Sequence, residues 1–187
     1  MSAPRSRPRS FWRDTHGSAA VEFVLWLGVL TLPMMNAVDL GMYVFQKMQV
    51  QIAAQSAAQG VWRLCDKPTK LPAVQNCDDL AATIQTGAQS TSLGPLVTVA
   101  AGAPVEGYYC VNTAGALQLV GAAGSPGSPP TKPSPFNCSS VISGSTTKPG
   151  DYVQVTVSYA YAPVFSRVSM ASLLTTPITR TAWMRLS

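Results

Sequence analysis

Charge is scarce in this chain. Lys, Arg, Asp and Glu together make up 11% of its 187 residues, against about 25% in an average soluble protein. Histidine occurs once, at His16, and the four cysteines (Cys65, Cys77, Cys110 and Cys138) include no C-x-x-C pair. Zinc sites draw on Cys and His at short, characteristic spacings, so the sequence offers no metal centre. It also has no glycine-rich phosphate loop and no nucleophile elbow. The acidic pair Asp78-Asp79 has no histidine, lysine or metal ligand beside it. It reads as negative charge at the start of a short helix, where the helix dipole favours it. Nothing here argues for an enzyme, a cofactor or a small-molecule substrate. The net charge of +5 is a poor argument for nucleic acid, because Arg5, Arg7, Arg9 and Arg13 supply much of it and the other cations are scattered. A nucleic-acid-binding surface gathers them on one face.

Apolar residues are plentiful, at 47%, and many lie in one block. Met1 to Gly17 is basic and almost free of apolar residues. Ser18 to Val38 is largely apolar and carries a single charged residue, Glu22. About 20 apolar residues at about 1.5 Å each span a bilayer as a helix. Four arginines before the block place the N-terminus in the cytoplasm and the remainder outside. An ordinary signal peptide puts its apolar core before the cleavage site. Here the small residues Gly17, Ser18, Ala19 and Ala20 come before the core, so a cut after Gly17 would remove the arginines and leave the anchor on the mature chain. Pro33 removes one backbone donor inside the helix and Gly28 is a second weak point, both tolerated in membrane helices. Glu22 is the anomaly, because a carboxylate near a bilayer is costly and marks a functional position.

Asp39 marks the expected exit from the bilayer. Beyond it Val50, Ala54, Ala57, Val61 and Leu64 recur at helical spacing and form an apolar stripe. Gln51, Gln55, Gln59 and Arg63 lie on the opposite side, interrupted by Met48 and Ile52. Anchor and extension together are about 45 residues, or roughly 65 Å. The stripe suits a sheet packed against it or a helix–helix seam in a filament.

From Cys65 the chain reads as an exported domain. A loop with Pro68 and Pro72 leads to a short helix over about 78–90, with Asn76 or Asp78 near its start. Strands are expected over 96–101, 108–112, 117–120, 151–161 and 178–186, with a hairpin turning at Ala114-Gly115. The alternation of Val153, Val155 and Val157 with Gln154, Thr156 and Ser158 is the clearest signal. Gly121 to Pro135 is low complexity and is expected to be a flexible loop. Tyr108, Tyr109, Tyr159, Tyr161 and Trp183 suit sheet packing better than a binding surface. The even cysteine count beyond the anchor favours disulfides in an oxidising compartment. Four cysteines allow three connectivities, of which Cys65–Cys77 and Cys110–Cys138 are expected. The first would contribute on the order of 3 kcal/mol. The expected fold class is α+β: a long N-terminal transmembrane and amphipathic helix (18–64) on a small antiparallel sheet, with a leader at 1–17 and an exported domain at 65–187.

Gly17 followed by Glu22 and Phe23, opening a long apolar helix, resembles the class III signal of type IV pilins and pseudopilins. Ala19-Ala20-Val21-Glu22-Phe23-Val24-Leu25, then Val38-Asp39-Leu40-Gly41, then Ala53-Ala54-Gln55-Ser56-Ala57-Ala58 resemble the TadE-like family of tight-adherence, Flp-type pilus systems. The resemblance covers about Gly17 to Arg63. Proline stands at Pro33 here, where the family often has one near the position of Gly28. The resemblance implies a minor pilin or pseudopilin of the bacterial inner membrane, cut by a prepilin peptidase between Gly17 and Ser18. It further implies that Glu22 neutralises the new amino terminus of Ser18 in a neighbouring subunit during assembly. The partners so implied are the peptidase, other pilins, the assembly platform and membrane lipid. Two other readings fit the residues: an uncleaved single-pass anchor carrying an exported binding domain, and a pseudopilin of a general secretion machine.

Overall fold

The computed structural model of the chain describes residues 16–187, with side-chain surroundings from Ala19 onward. The four leader arginines lie outside the described residues. The fold is α+β, built on one helix, α1 (His16–Leu64), which is continuous through Gly28 and Pro33. At about 1.5 Å per residue it is about 73 Å long. Lys70 closes its end, donating from Nζ to the Leu64 carbonyl at 2.6 Å, as a cation at a helix C-terminus should.

The two halves of α1 live in different surroundings. Val21, Phe23, Leu25, Trp26, Val29 and Leu30 are exposed, whereas Val50, Ala53, Ala54, Ala57, Ala58 and Val61 are buried. The buried stripe follows the expected positions, and Gln55, Gln59 and Arg63 face away, exposed. Two layers cover it. One is α3 (Leu80–Ala88), which places Ile84 and Ala88 in the core. The other is the sheet, through Val153, Val155 and Val157 and through Ile178 and Ala182. Each such valine contributes roughly 1.5–3 kcal/mol by leaving water. Small residues set the α1–α3 distance: a Cβ on Gly87 would stand 2.8 Å from the Ala57 Cα and 3.0 Å from the Ser56 carbonyl oxygen.

The sheet has five antiparallel strands: β1 (Val97–Val99), β2 (Val105–Val111), β3 (Leu117–Leu119), β4 (Gly150–Tyr159) and β5 (Ile178–Arg185). β4 is its spine. β5 runs along one edge, from Tyr152↔Arg185 to Tyr159↔Ile178. The other edge is shared end to end, β2 pairing over Gly150–Gln154 and β1 over Val157–Tyr159. β3 pairs only with β2. Period-2 alternation sends the β4 valines to the helix, and the other face carries Thr156 and Thr181, whose hydroxyls lie 2.9 Å apart. Tyr109, Tyr152 and Trp183 form an edge-to-face cluster, with Tyr109 centred 5.2 Å from Trp183. The β2–β3 turn closes at Gly115, in the left-handed region at φ 78°. The Asn112 side chain accepts from the Ala114 and Ala116 amides there.

Two details depart from the sequence reading. The helix expected over 78–90 forms as α3, while the segment before it, expected to be all loop, holds a further single turn, α2 (Ala73–Asn76), which Asn76 ends. Asp79 does precede α3, but at φ 58° its carboxylate makes no capping hydrogen bond. The left-handed backbone turns that side chain away from the amides it would cap. Residues 121–135 hold no regular strand, but they fold back through the bridges Glu106↔Gly124, Ala122↔Thr131 and Ser125↔Ser128. Disulfides join Cys65 to Cys77 and Cys110 to Cys138. The second fastens the loop region 121–149 to β2.

Candidate membrane anchor and its docking to the exported domain

Gly17 and Ser18 lie in the first turns of α1. Glu22 follows on the exposed stretch and shares a shallow groove with Leu25, Trp26 and Val29. These are i, i+3, i+4 and i+7 positions, hence one helix face. The described domain does not cover that face. Among the described residues α1 is the one helix long and apolar enough to cross a membrane, with a mean hydropathy of 1.7 over its most apolar window. It is a candidate membrane anchor.

Asp39 does more than mark the end of the apolar run. It is fully buried, and its carboxylate accepts from the backbone amides of Val164 at 2.9 Å and Phe165 at 3.1 Å. The Tyr161 hydroxyl donates to the Asp39 carbonyl at 3.0 Å, and the Tyr161 ring packs edge-on against Tyr43, 5.1 Å away. One turn earlier, Asn36 accepts from the Met170 amide at 2.7 Å while its own Nδ2 donates to the Leu32 carbonyl. The long β4–β5 connection, residues 160–177, is thereby tied to α1 just where the bare stretch ends. Sequence reasoning missed this role for Asn36 and Asp39. The available signal was a lone acid in a chain with only eight.

Two further acids, Glu106 and Asp151, are buried in the sheet. Glu106 sits diagonally across the β2–β4 pairing from Asp151, since Tyr108 is opposite Asp151 and Val153 is opposite Glu106. Its two oxygens accept from the Ala73 and Val74 amides, each at 2.8 Å, so one carboxylate fastens the disulfide-closed loop 65–77 to the sheet. Burial pushes the Glu106 carboxyl up, and those two amides pull it back. Burial, then the Glu106 charge and the hydrogen bond shared with it, push Asp151 up to about 7. Glu106, with two amides donating to it, is the better anion, so Asp151 is the acid of the pair that keeps its proton to higher pH. The two acids also surround Tyr108, whose hydroxyl is pushed up to about 12 by burial and then by Asp151 and Glu106. This pair was not foreseen either. Its arrangement is that of a structural clasp, and among the described residues no cluster of His, Cys, Asp and Glu is placed to hold a metal ion.

No curated protein and no solved structure matches the chain. Residues 17–59 match the model of a family described as TadE-like protein. That family is associated with Tad pili. The matched residues take in Glu22, Asn36, Asp39 and the buried Ala53, Ala54, Ala57 and Ala58, so this part of α1 is similar to the TadE-like family.

Proposed function

We propose that this chain is a minor pilin or pseudopilin that takes part in assembling a tight-adherence type IV pilus used in surface adhesion. In this reading a prepilin peptidase of the inner membrane removes the leader between Gly17 and Ser18. The N-terminal end of α1 stays cytoplasmic and the sheet domain is exported. The observation that carries the reading is the TadE-like match over 17–59, on a helix left bare along its first half and packed under a domain along its second.

Glu22 supplies the assembly chemistry. A bare carboxylate and a bare ammonium are each expensive in low dielectric, and pairing offsets part of that cost. The new amino terminus of Ser18 in one subunit and Glu22 in the next would meet only when the helices are in register, so a misplaced subunit leaves both charges unpaired. The exposed face at Glu22, Leu25, Trp26 and Val29 is the surface open to such a neighbour. Glu22→Ala is expected to be cleaved normally but excluded from pili, read by immunodetection in the sheared pilus fraction. Normal incorporation of that variant would refute the role of Glu22 in assembly.

A further inference from the structure

The β4–β5 connection carries an apolar surface that the exported domain leaves bare. Met170 is 71% exposed and Leu173 85%, with Val164 and Val168 also exposed. Arg167 is the one charged residue between Ala160 and Pro177. Large apolar side chains gathered on one loop mark an interaction surface. Where the loop is held decides what covers it. Its tethers are Asn36 and Asp39, and Phe165 lines an apolar groove together with Thr31, Met34, Met35 and Val38. Ala19 to Val38, at about 1.5 Å per residue, makes about 30 Å of helix, which matches the hydrocarbon thickness of a bilayer. Thr31 lies about 10 Å below Val38 on that scale. A helix that spans the membrane with this stretch cannot keep the loop clear of it.

We propose that the loop 163–174 is a second membrane contact, lying in the outer-leaflet interface beside α1 with Val164, Val168, Met170 and Leu173 turned into lipid. The backbone suits the site. An unsatisfied amide in lipid is costly, and most amides here have partners. Val164 and Phe165 use Asp39, Met170 uses Asn36, Ala171 uses the Ser169 hydroxyl, and Val168 and Ser169 share the Phe165 carbonyl. Arg167 is long enough to hold its charge at the headgroups while its stem lies along apolar surface. The domain is then held to the membrane at two points, which fixes its rotation about α1 as well as its height.

The inference rests on α1 being a membrane anchor, and the test separates the two. The full chain, with single cysteines carrying an environment-sensitive fluorophore at Val29→Cys, Val168→Cys, Leu173→Cys or Thr86→Cys, is reconstituted in phosphatidylethanolamine–phosphatidylglycerol vesicles. Quenching by nitroxide lipids and by aqueous iodide is then compared. Positions 168 and 173 should be quenched by the lipid nitroxides, as 29 is, and should lose the iodide quenching that 86 retains. Quenching of 29 by lipid, with 168 and 173 as open to iodide as 86, would overturn the loop contact and leave the anchor standing. Protection of 168 and 173 from iodide without lipid quenching would mean that protein covers the loop, and would also overturn it. No lipid quenching at 29 would remove the anchor and the inference with it.

Discussion

Asp151 ties the stability of the exported domain to pH. It is a buried acid pushed up from 3.8 to about 7, first by burial and then by Glu106. Below pH 4 the folded and unfolded chains both hold the proton, and the residue costs nothing. As pH rises from about 4 to about 7 the unfolded chain releases its proton while the folded chain keeps it. Stability therefore falls by about 1.4 kcal/mol per pH unit, up to about 4 kcal/mol in all. Above pH 7 the folded chain releases its proton too and the loss levels off. Asp151→Asn keeps a donor for Glu106 but cannot ionise. Denaturant titrations of both proteins in detergent, from pH 4 to pH 8, should give curves that diverge as pH rises, with wild type losing stability relative to the variant. Acids outside the Glu106–Asp151 pair titrate alike in both proteins and cancel in the difference. Superimposable pH profiles would refute the argument, and so would a wild type that gained stability on the variant as pH rose.

Two further predictions follow from packing and tethering. Gly87→Ala puts a methyl against the Ala57 and Ser56 backbone and should cost about 1–3 kcal/mol as an overpacked contact, lowering the thermal midpoint. Gly41→Ala, with nothing within 4 Å of its Cβ, should be neutral or stabilising by up to about 1 kcal/mol. Asp39→Ala leaves the Val164 and Phe165 amides without their acceptor and should cost about 2–4 kcal/mol. Limited proteolysis should then cut first within 160–177, whereas in wild type that segment should resist.

The legible parts of the fold were those with a period. Val50, Ala54, Ala57 and Val61 repeat at helical spacing, and Val153, Val155 and Val157 at strand spacing, because one face of each is buried against the other. The β2–β3 hairpin was legible through its turn at Ala114-Gly115, though not the Asn112 side chain that braces it. What stayed hidden depends on contacts far apart in the chain. Nothing near Asp39 announces the amides of Val164 and Phe165, and nothing near Glu106 announces those of Ala73 and Val74. The single turn α2 was missed because Pro68 and Pro72 read as breakers, although Pro72 stands directly before that turn, and the cap expected of the Asp78-Asp79 pair fails at the left-handed backbone of Asp79. Of the candidate site, Gly17, Ser18 and Glu22 are proposed from the small residues ahead of the apolar core, the one carboxylate within it and the resemblance to pilin signals. The surface formed by the β4–β5 loop did not stand out, since Val164, Val168, Met170 and Leu173 follow no regular period.

The account turns on whether α1 begins, in the mature protein, at Ser18. N-terminal sequencing of the membrane-associated chain, from cells with and without the prepilin peptidase, tests this directly. The account predicts a terminus at Ser18 that disappears when the peptidase is absent. An intact basic leader in both strains would contradict it, leaving an exported domain on an uncleaved anchor and no pilin.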